Sequence, residues 1–153
     1  MTNYSLVDIK NKVEELAQVI GSAPTILPAF GQQNLDAHPY IEVDDLGNMF
    51  YIFSERGREL ERFRTDKLDE LLFRIFSSVT FTMACEFELN NRIEEKDCRR
   101  IIFDKQLELL RQLNKDWQQR ENIEHQRILI EHPFQDNASI HGNYKALRFS
   151  FGK

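Results

Sequence analysis

The sequence predicts an α+β fold: a small antiparallel β-meander of two to three strands packed with about four α-helices, one of them long and central near residues 66–91. Three observations lead there. Apolar residues recur at three- and four-residue steps over several long stretches, the period of a half-buried helix. Two short apolar runs flank an acidic, glycine-containing turn, the pattern of a hairpin. Twelve Phe stand against six Gly and four Pro, which favours regular elements joined by short connections. At 153 residues the chain is the size of one domain spanning 1–153, and long enough to bury a core.

The elements follow in order. Leu6, Ile9, Val13, Leu16, Ala17 and Ile20 make residues 5–20 an amphipathic helix. Ser5 is its N-cap, and Asp8 stands three residues on, where a capping box usually carries Glu or Gln. Gly21 and Pro24 end it, and 22–37 reads as a loop. The meander occupies 40–64. Tyr40 to Val43 and Met49 to Phe53 are strands around the turn Asp44-Asp45-Leu46-Gly47-Asn48. The second is apolar on both faces, as a covered central strand would be. Glu59 to Arg64 adds a third strand whose alternating charges suit an exposed edge.

A helical part follows over 66–132. Thr65 with Asp66 and Asp69 reads as a capped start beside the positive end of the helix dipole. Leu68, Leu71, Leu72, Ile75, Phe76, Val79, Met83, Ala84 and Phe87 then keep helical spacing, widened by Phe73 and Phe81. About 26 residues at 1.5 Å each span roughly 39 Å. So wide an apolar arc needs contacts on more than one side, which makes this helix the core element. Asp97 opens a helix running to Leu113, and Asn114 caps another from Asp116 to about Glu131, stopped by Pro133. The tail 133–153 is loop-like, with a short strand near 146–151.

Composition excludes several classes. The N-terminus lacks a basic region followed by an apolar one, so it is not a secretory signal. The longest apolar run, Met49 to Phe53, is far short of the roughly 20 residues a membrane helix needs. Two cysteines at no metal-like spacing read as reduced thiols in a cytoplasmic protein. No phosphate loop, nucleophile elbow or HExxH is present. His125 and His132 lie two turns apart, too far to share a metal. The net charge of −5 arises entirely within residues 1–50, which hold seven acidic and two basic side chains. That field repels nucleic acid and favours a basic partner.

Two charged clusters stand out: Glu55, Arg56, Glu59 and Arg62, and then Arg92, Asp97, Arg99 and Arg100. As struts they would form an Arg–carboxylate network tying the meander to the helices. As chemistry they would supply Glu55 or Glu59 as a base and Arg56 or Arg100 as an anion clamp, in a small hydrolase or transferase. The strut reading needs no unpaired group, and it is preferred.

The ordered run Phe53-Ser-Glu-Arg-Gly-Arg-Glu-Leu-Glu-Arg62, Thr65, Asp69-Glu-Leu-Leu-Phe73, Val79-Thr-Phe81, Ala84, Glu88-Leu89, Asn91-Arg92, Asp97, Arg99-Arg100, Phe103, Gln106-Leu107, Trp117 and His132-Pro-Phe134 resembles the immunity protein 63 family of bacterial polymorphic toxin systems. The resemblance covers roughly residues 40–136. It departs at Phe73-Arg74, where an aromatic pair such as Tyr-Trp is expected. It implies a cytoplasmic antidote that binds and neutralises a toxin domain, with no catalytic residue, metal or cofactor. The acidic residues Asp36, Glu42, Asp44 and Asp45 are the partner-binding candidates, since they would steer a basic toxin such as a nuclease. A general adaptor module unrelated to toxins is the remaining alternative.

Overall fold

A computed structural model describes residues 3–31 and 37–137 of the chain. The fold is α+β, with elements in the order α1 (Leu6–Ile20), β1 (Ala29–Phe30), β2 (Tyr40–Val43), β3 (Met49–Glu55), β4 (Arg58–Thr65), α2 (Leu68–Asn90), α3 (Arg99–Leu113) and α4 (Lys115–Glu131). A short 3₁₀ turn, Pro24–Ile26, precedes β1. The chain divides into two compact units, residues 1–79 and 80–153, and α2 contributes to each.

In the first unit, α1 begins as its sequence predicts. Ser5 Oγ accepts from the Asp8 N–H at 3.1 Å, and Asp8 Oδ2 accepts from the Ser5 N–H at 2.9 Å. Asp8 thus closes the capping box in place of the longer Glu. The helix buries Ile9, Val13, Ala17 and Ile20 and lies against β1 and β2. It ends at Gly21 in the left-handed conformation, where an L side chain would be strained.

Among the described residues the sheet has four strands in the order β1-β2-β3-β4, against the two to three that the sequence predicts. The addition is β1, inside the stretch expected to be a loop. It pairs parallel to β2, so the sheet is mixed rather than purely antiparallel. Two residues carry no periodicity, and only the neighbouring β2 makes them a strand. The other pairs are antiparallel, with Ile41, Tyr51 and Phe63 in one row and Glu42, Phe50 and Arg64 in another. Met49, Tyr51, Ile52 and Phe53 of β3 are buried, as its doubly apolar sequence requires. The third predicted strand is longer than its sequence signal, running from Arg58 to Thr65 at the sheet edge.

Gly47 holds the β2–β3 turn with φ +85°, and a Cβ there would come within 2.6 Å of Asn3 Oδ1. Gly47→Ala is expected to lower stability by about 1 kcal/mol, mostly as backbone strain, because the exposed Asn3 side chain can move aside. Thermal unfolding beside Gly57→Ala checks this, since Gly57 has φ +73° in open space.

The long helix is shorter than predicted at both ends, Leu68–Asn90 rather than 66–91. Thr65 does not cap it. That residue ends β4, and its Oγ1 accepts from the Lys67 N–H at 3.0 Å, closing a turn before the helix. Strand pairing of Thr65 with Met49 holds it in extended conformation and moves the helix start to the next free carbonyl, that of Lys67. Asp69 and Glu70 remain in the first turn beside the helix dipole.

In the second unit α3 packs on α4. Its apolar core joins Ala84 and Cys85 of α2, Cys98 just before α3, Ile102 and Phe103 of α3, and Ile128 of α4. Asn114 caps α4, its Oδ1 accepting from the N–H groups of Asp116 and Trp117. Phe87, expected in the core stripe of the long helix, is instead 38% exposed, with the Lys105 ammonium 4.5 Å from its ring centroid. The strand predicted near 146–151 lies outside the described residues. No helix among the described residues is long and apolar enough to cross a membrane.

Candidate functional site

The hairpin of β2 and β3 brings three of the four predicted partner-binding acids together, and the fourth, Asp36, lies outside the described residues. Residues opposite one another in the ladder share a face, so Tyr40, Ile52 and Arg62 lie together, as do Glu42, Phe50 and Arg64. The Arg62 guanidinium sits 5.4 Å from the Phe50 ring centroid. Burial, and then the negative charge of Glu42, push the Tyr40 phenol above its ordinary range. The opposite face meets α2. There the Tyr51 hydroxyl donates to Ser78 Oγ at 3.3 Å, and the Arg74 guanidinium lies 4.6 Å from the Tyr51 ring centroid.

The acids of the turn divide by role. Asp44 Oδ1 accepts from the N–H groups of Leu46 at 2.9 Å and Asn48 at 2.8 Å, while Oδ2 accepts from Asn48 Nδ2 at 2.9 Å. The Asn48 side chain, then its backbone N–H, hold the Asp44 carboxyl below its usual range. Asn48 Oδ1 in turn accepts from Arg64 at 2.9 Å, so Asp44 shapes its own turn and leans on β4. Glu42 and Asp45 make no hydrogen bond or ion pair among the described residues, and Asp45 is exposed.

The first charged cluster is spread along β3 and β4. Arg62 grips Glu59 with both Nε and Nη2 at 2.8 to 3.1 Å, but the pair is exposed and stays within one strand. Its side-chain hydrogen bonds hold Glu59 below the usual carboxylate range. Glu55 ends β3 opposite Arg58, and Arg56 takes φ +54° in the following turn. The pair that joins the sheet to α2 is Arg74 with Glu61, half-buried, with Arg74 Nε donating at 2.7 Å. Glu61 sits in the charged run, but only the register shows that it faces the helix. Arg74, where the resemblance leads one to expect an aromatic side chain, instead lays its guanidinium over the Tyr51 ring.

In the second unit the remaining cluster residues each have a partner. Asp97, 1% exposed, accepts from Arg99 Nε and Nη2, and from the N–H groups of Arg99 and Gln135. Burial would raise its carboxyl, but the Arg99 side chain and the two N–H donors outweigh it and leave the group below its usual range. Arg99 also donates to the carbonyls of His132 and Pro133, at 2.8 and 2.9 Å. Arg100 binds Asp136, which accepts the Asp97 N–H as well and is lowered to about 2. Arg92 grips the fully buried Glu88 one turn away. The start of α3 is thereby clamped to the chain leaving α4.

A further polar group has no sequence signal beyond its distance from His132. His125 is buried on α4 with its ring stacked 4.0 Å from Phe103. Gln106 Nε2 donates to Glu121 at 3.0 Å, so Gln106 Oε1 must accept from His125 Nε2 at 2.8 Å. The tautomer is thus fixed, and Nδ1 is left buried without a partner. Burial lowers the His125 pKa to about 4. The 19-residue separation of Gln106 and His125 leaves no local pattern by which the pair could be found.

Chemically these groups are matched rather than poised. Glu59 and Asp97 are each held bidentately by arginine. Burial, then Asp97 and Glu88, raise the Cys98 thiol and disfavour a nucleophilic thiolate. No group of three or more His, Cys, Asp or Glu among the described residues is placed to hold a metal ion. Compared with known families, residues 44–127, more than half of the chain, match the family model described as Immunity protein 63. No curated protein and no solved structure matches the chain.

Proposed function

The chain belongs to the immunity protein 63 family, and on that premise we propose that it binds a cognate polymorphic-toxin domain in the bacterial cytoplasm and neutralises it by stoichiometric contact. The family match over residues 44–127 carries this reading. It begins at the hairpin turn and runs through β3, β4, α2 and α3 into α4. The arginine-paired carboxylates support a binding protein over an enzyme, because a general base needs a carboxylate free to take a proton. Co-expression with the neighbouring toxin tests the proposal: the chain alone should restore growth and co-purify with the toxin. A toxin that still kills and elutes separately would refute it.

Within this reading the free carboxylates Glu42 and Asp45 attract a basic toxin surface, while Asp44 keeps the tip in shape. Asp36 belongs to the same acidic set. Glu42→Gln with Asp45→Asn is expected to slow association severalfold at low salt, and the difference should vanish near 1 M salt. Stopped-flow association across ionic strength measures this. A rate that does not change with salt would remove electrostatic steering from the account.

A further inference from the structure

We propose that β4 is the docking edge, onto which an extended segment of the toxin domain adds as a further strand. The inference rests on the immunity reading and gives it a surface. Arg58–Thr65 is the terminal strand of the sheet and, at eight residues, its longest. It pairs with β3 on one side and with no strand on the other among the described residues, which leaves a row of backbone donors and acceptors facing outward.

Two features give that edge more than backbone to offer. Phe53 lies opposite Glu61 and Ser54 opposite Glu59, so Leu60 is a bulged residue with nothing across from it. It is 47% exposed, an apolar side chain in the middle of an otherwise charged strand. At the far end, Phe63 and Arg64 help line an open hollow of about 420 Å³ where β4 hands over to α2. A partner strand would find an apolar side chain along its path and a largely polar hollow at one end, side-chain contacts of the kind by which strand addition acquires specificity.

Charge selects the occupant. Two copies pairing antiparallel about a two-fold axis would set like charges opposite in each register centred on residues 61 to 64. Glu61 would face itself, Arg62 itself, Arg62 would face Arg64, or Arg64 itself. A second copy is therefore disfavoured. The exposed side chains Arg58, Arg62 and Arg64 outnumber Glu59 and make the edge basic. The segment that fits alternates carboxylates with apolar residues. With Asp45 drawing a basic surface to the hairpin tip, the two ends of opposite charge favour one orientation of the partner.

The test is amide hydrogen exchange on the chain alone and in complex with the toxin domain encoded beside it, paired with Leu60→Asp and Arg64→Glu. Strand addition predicts slowed exchange across 58–65 on binding. Leu60→Asp should weaken binding at least tenfold while leaving the unfolding midpoint unchanged, and Arg64→Glu should weaken it as much while lowering the midpoint only slightly through loss of its Asn48 contact. Binding that leaves these amides unprotected, or that ignores both substitutions, overturns the docking edge and spares the immunity reading. A free protein already dimeric through protected β4 amides overturns the choice of occupant. Failure of the unsubstituted chain to bind the toxin overturns the immunity reading, and the docking edge with it.

Discussion

Replacing Asp97 with alanine is expected to cost about 3–5 kcal/mol of stability, the range for breaking a buried ion pair from one side. The carboxylate is almost completely inaccessible and accepts from two side-chain nitrogens of Arg99 and from two backbone N–H groups. Its removal strips the 6%-exposed Arg99 of its carboxylate, with the carbonyls of His132 and Pro133 and the Phe134 ring still among its contacts. It also orphans the Gln135 N–H. Urea unfolding of Asp97→Ala measures the loss. Replacing Asp97 and Arg99 together by apolar residues should cost markedly less, since no uncompensated charge then remains. A double variant as unstable as the single one would show that the clamp works through its backbone contacts instead. Because the folded Asp97 carboxyl lies below its ordinary value near 3.8, its contribution is present above that value and fades as the pH falls through the folded pKa.

A second large effect is an acid limb in the stability curve, set by His125. Its folded pKa of about 4 lies below the ordinary 6.5, so the unfolded chain binds the extra proton between those values. Stability from this group is complete above about pH 6.5 and falls as the pH drops to about 4. A shift of that size corresponds to roughly 3 kcal/mol at 1.36 kcal/mol per unit. The geometry explains the direction. Nε2 already carries its proton for Gln106, so a second proton must go on Nδ1, which has no acceptor. Glu124 opposes the shift without cancelling it. His125→Phe keeps the stacking on Phe103 and removes the titration. The variant should lose about 1–3 kcal/mol at pH 7 from the lost His125–Gln106 hydrogen bond, yet show a flatter profile between pH 6.5 and 4. Unfolding midpoints of both proteins across that interval check it. An equal slope in the variant would place the acid limb on another group.

These two positions show how far a single sequence reaches. Asp97 and Arg99 stand out as charge within a helix start, and their pairing is local enough to anticipate. Their hold on residues 132–135 is not, because more than 30 residues intervene. His125 is legible only as a histidine on a helix. Its burial depends on α3 turning back onto α4 to place Phe103 and Gln106 against it. The acidic turn was legible as a turn, but which of its carboxylates is free was not. Asp44 and Asp45 are neighbours of identical chemistry. The turn geometry alone directs the first toward Leu46 and Asn48 and leaves the second in solvent.

The sequence by itself determined the α+β class, the four helices, the hairpin and the caps at Ser5 and Asn114. It also carried the motif order that marks the family. All of these rest on period, turn chemistry and hydrogen bonds within a few residues of each other, which the chain order records directly. Tertiary structure alone decided that Ala29 and Phe30 are a strand, that Thr65 ends one instead of capping a helix, and that Glu61 finds Arg74. It decided too that β4 keeps an open edge among the described residues. Each depends on what the fold brings alongside a residue, and neighbours distant in the chain leave no periodic trace in its order.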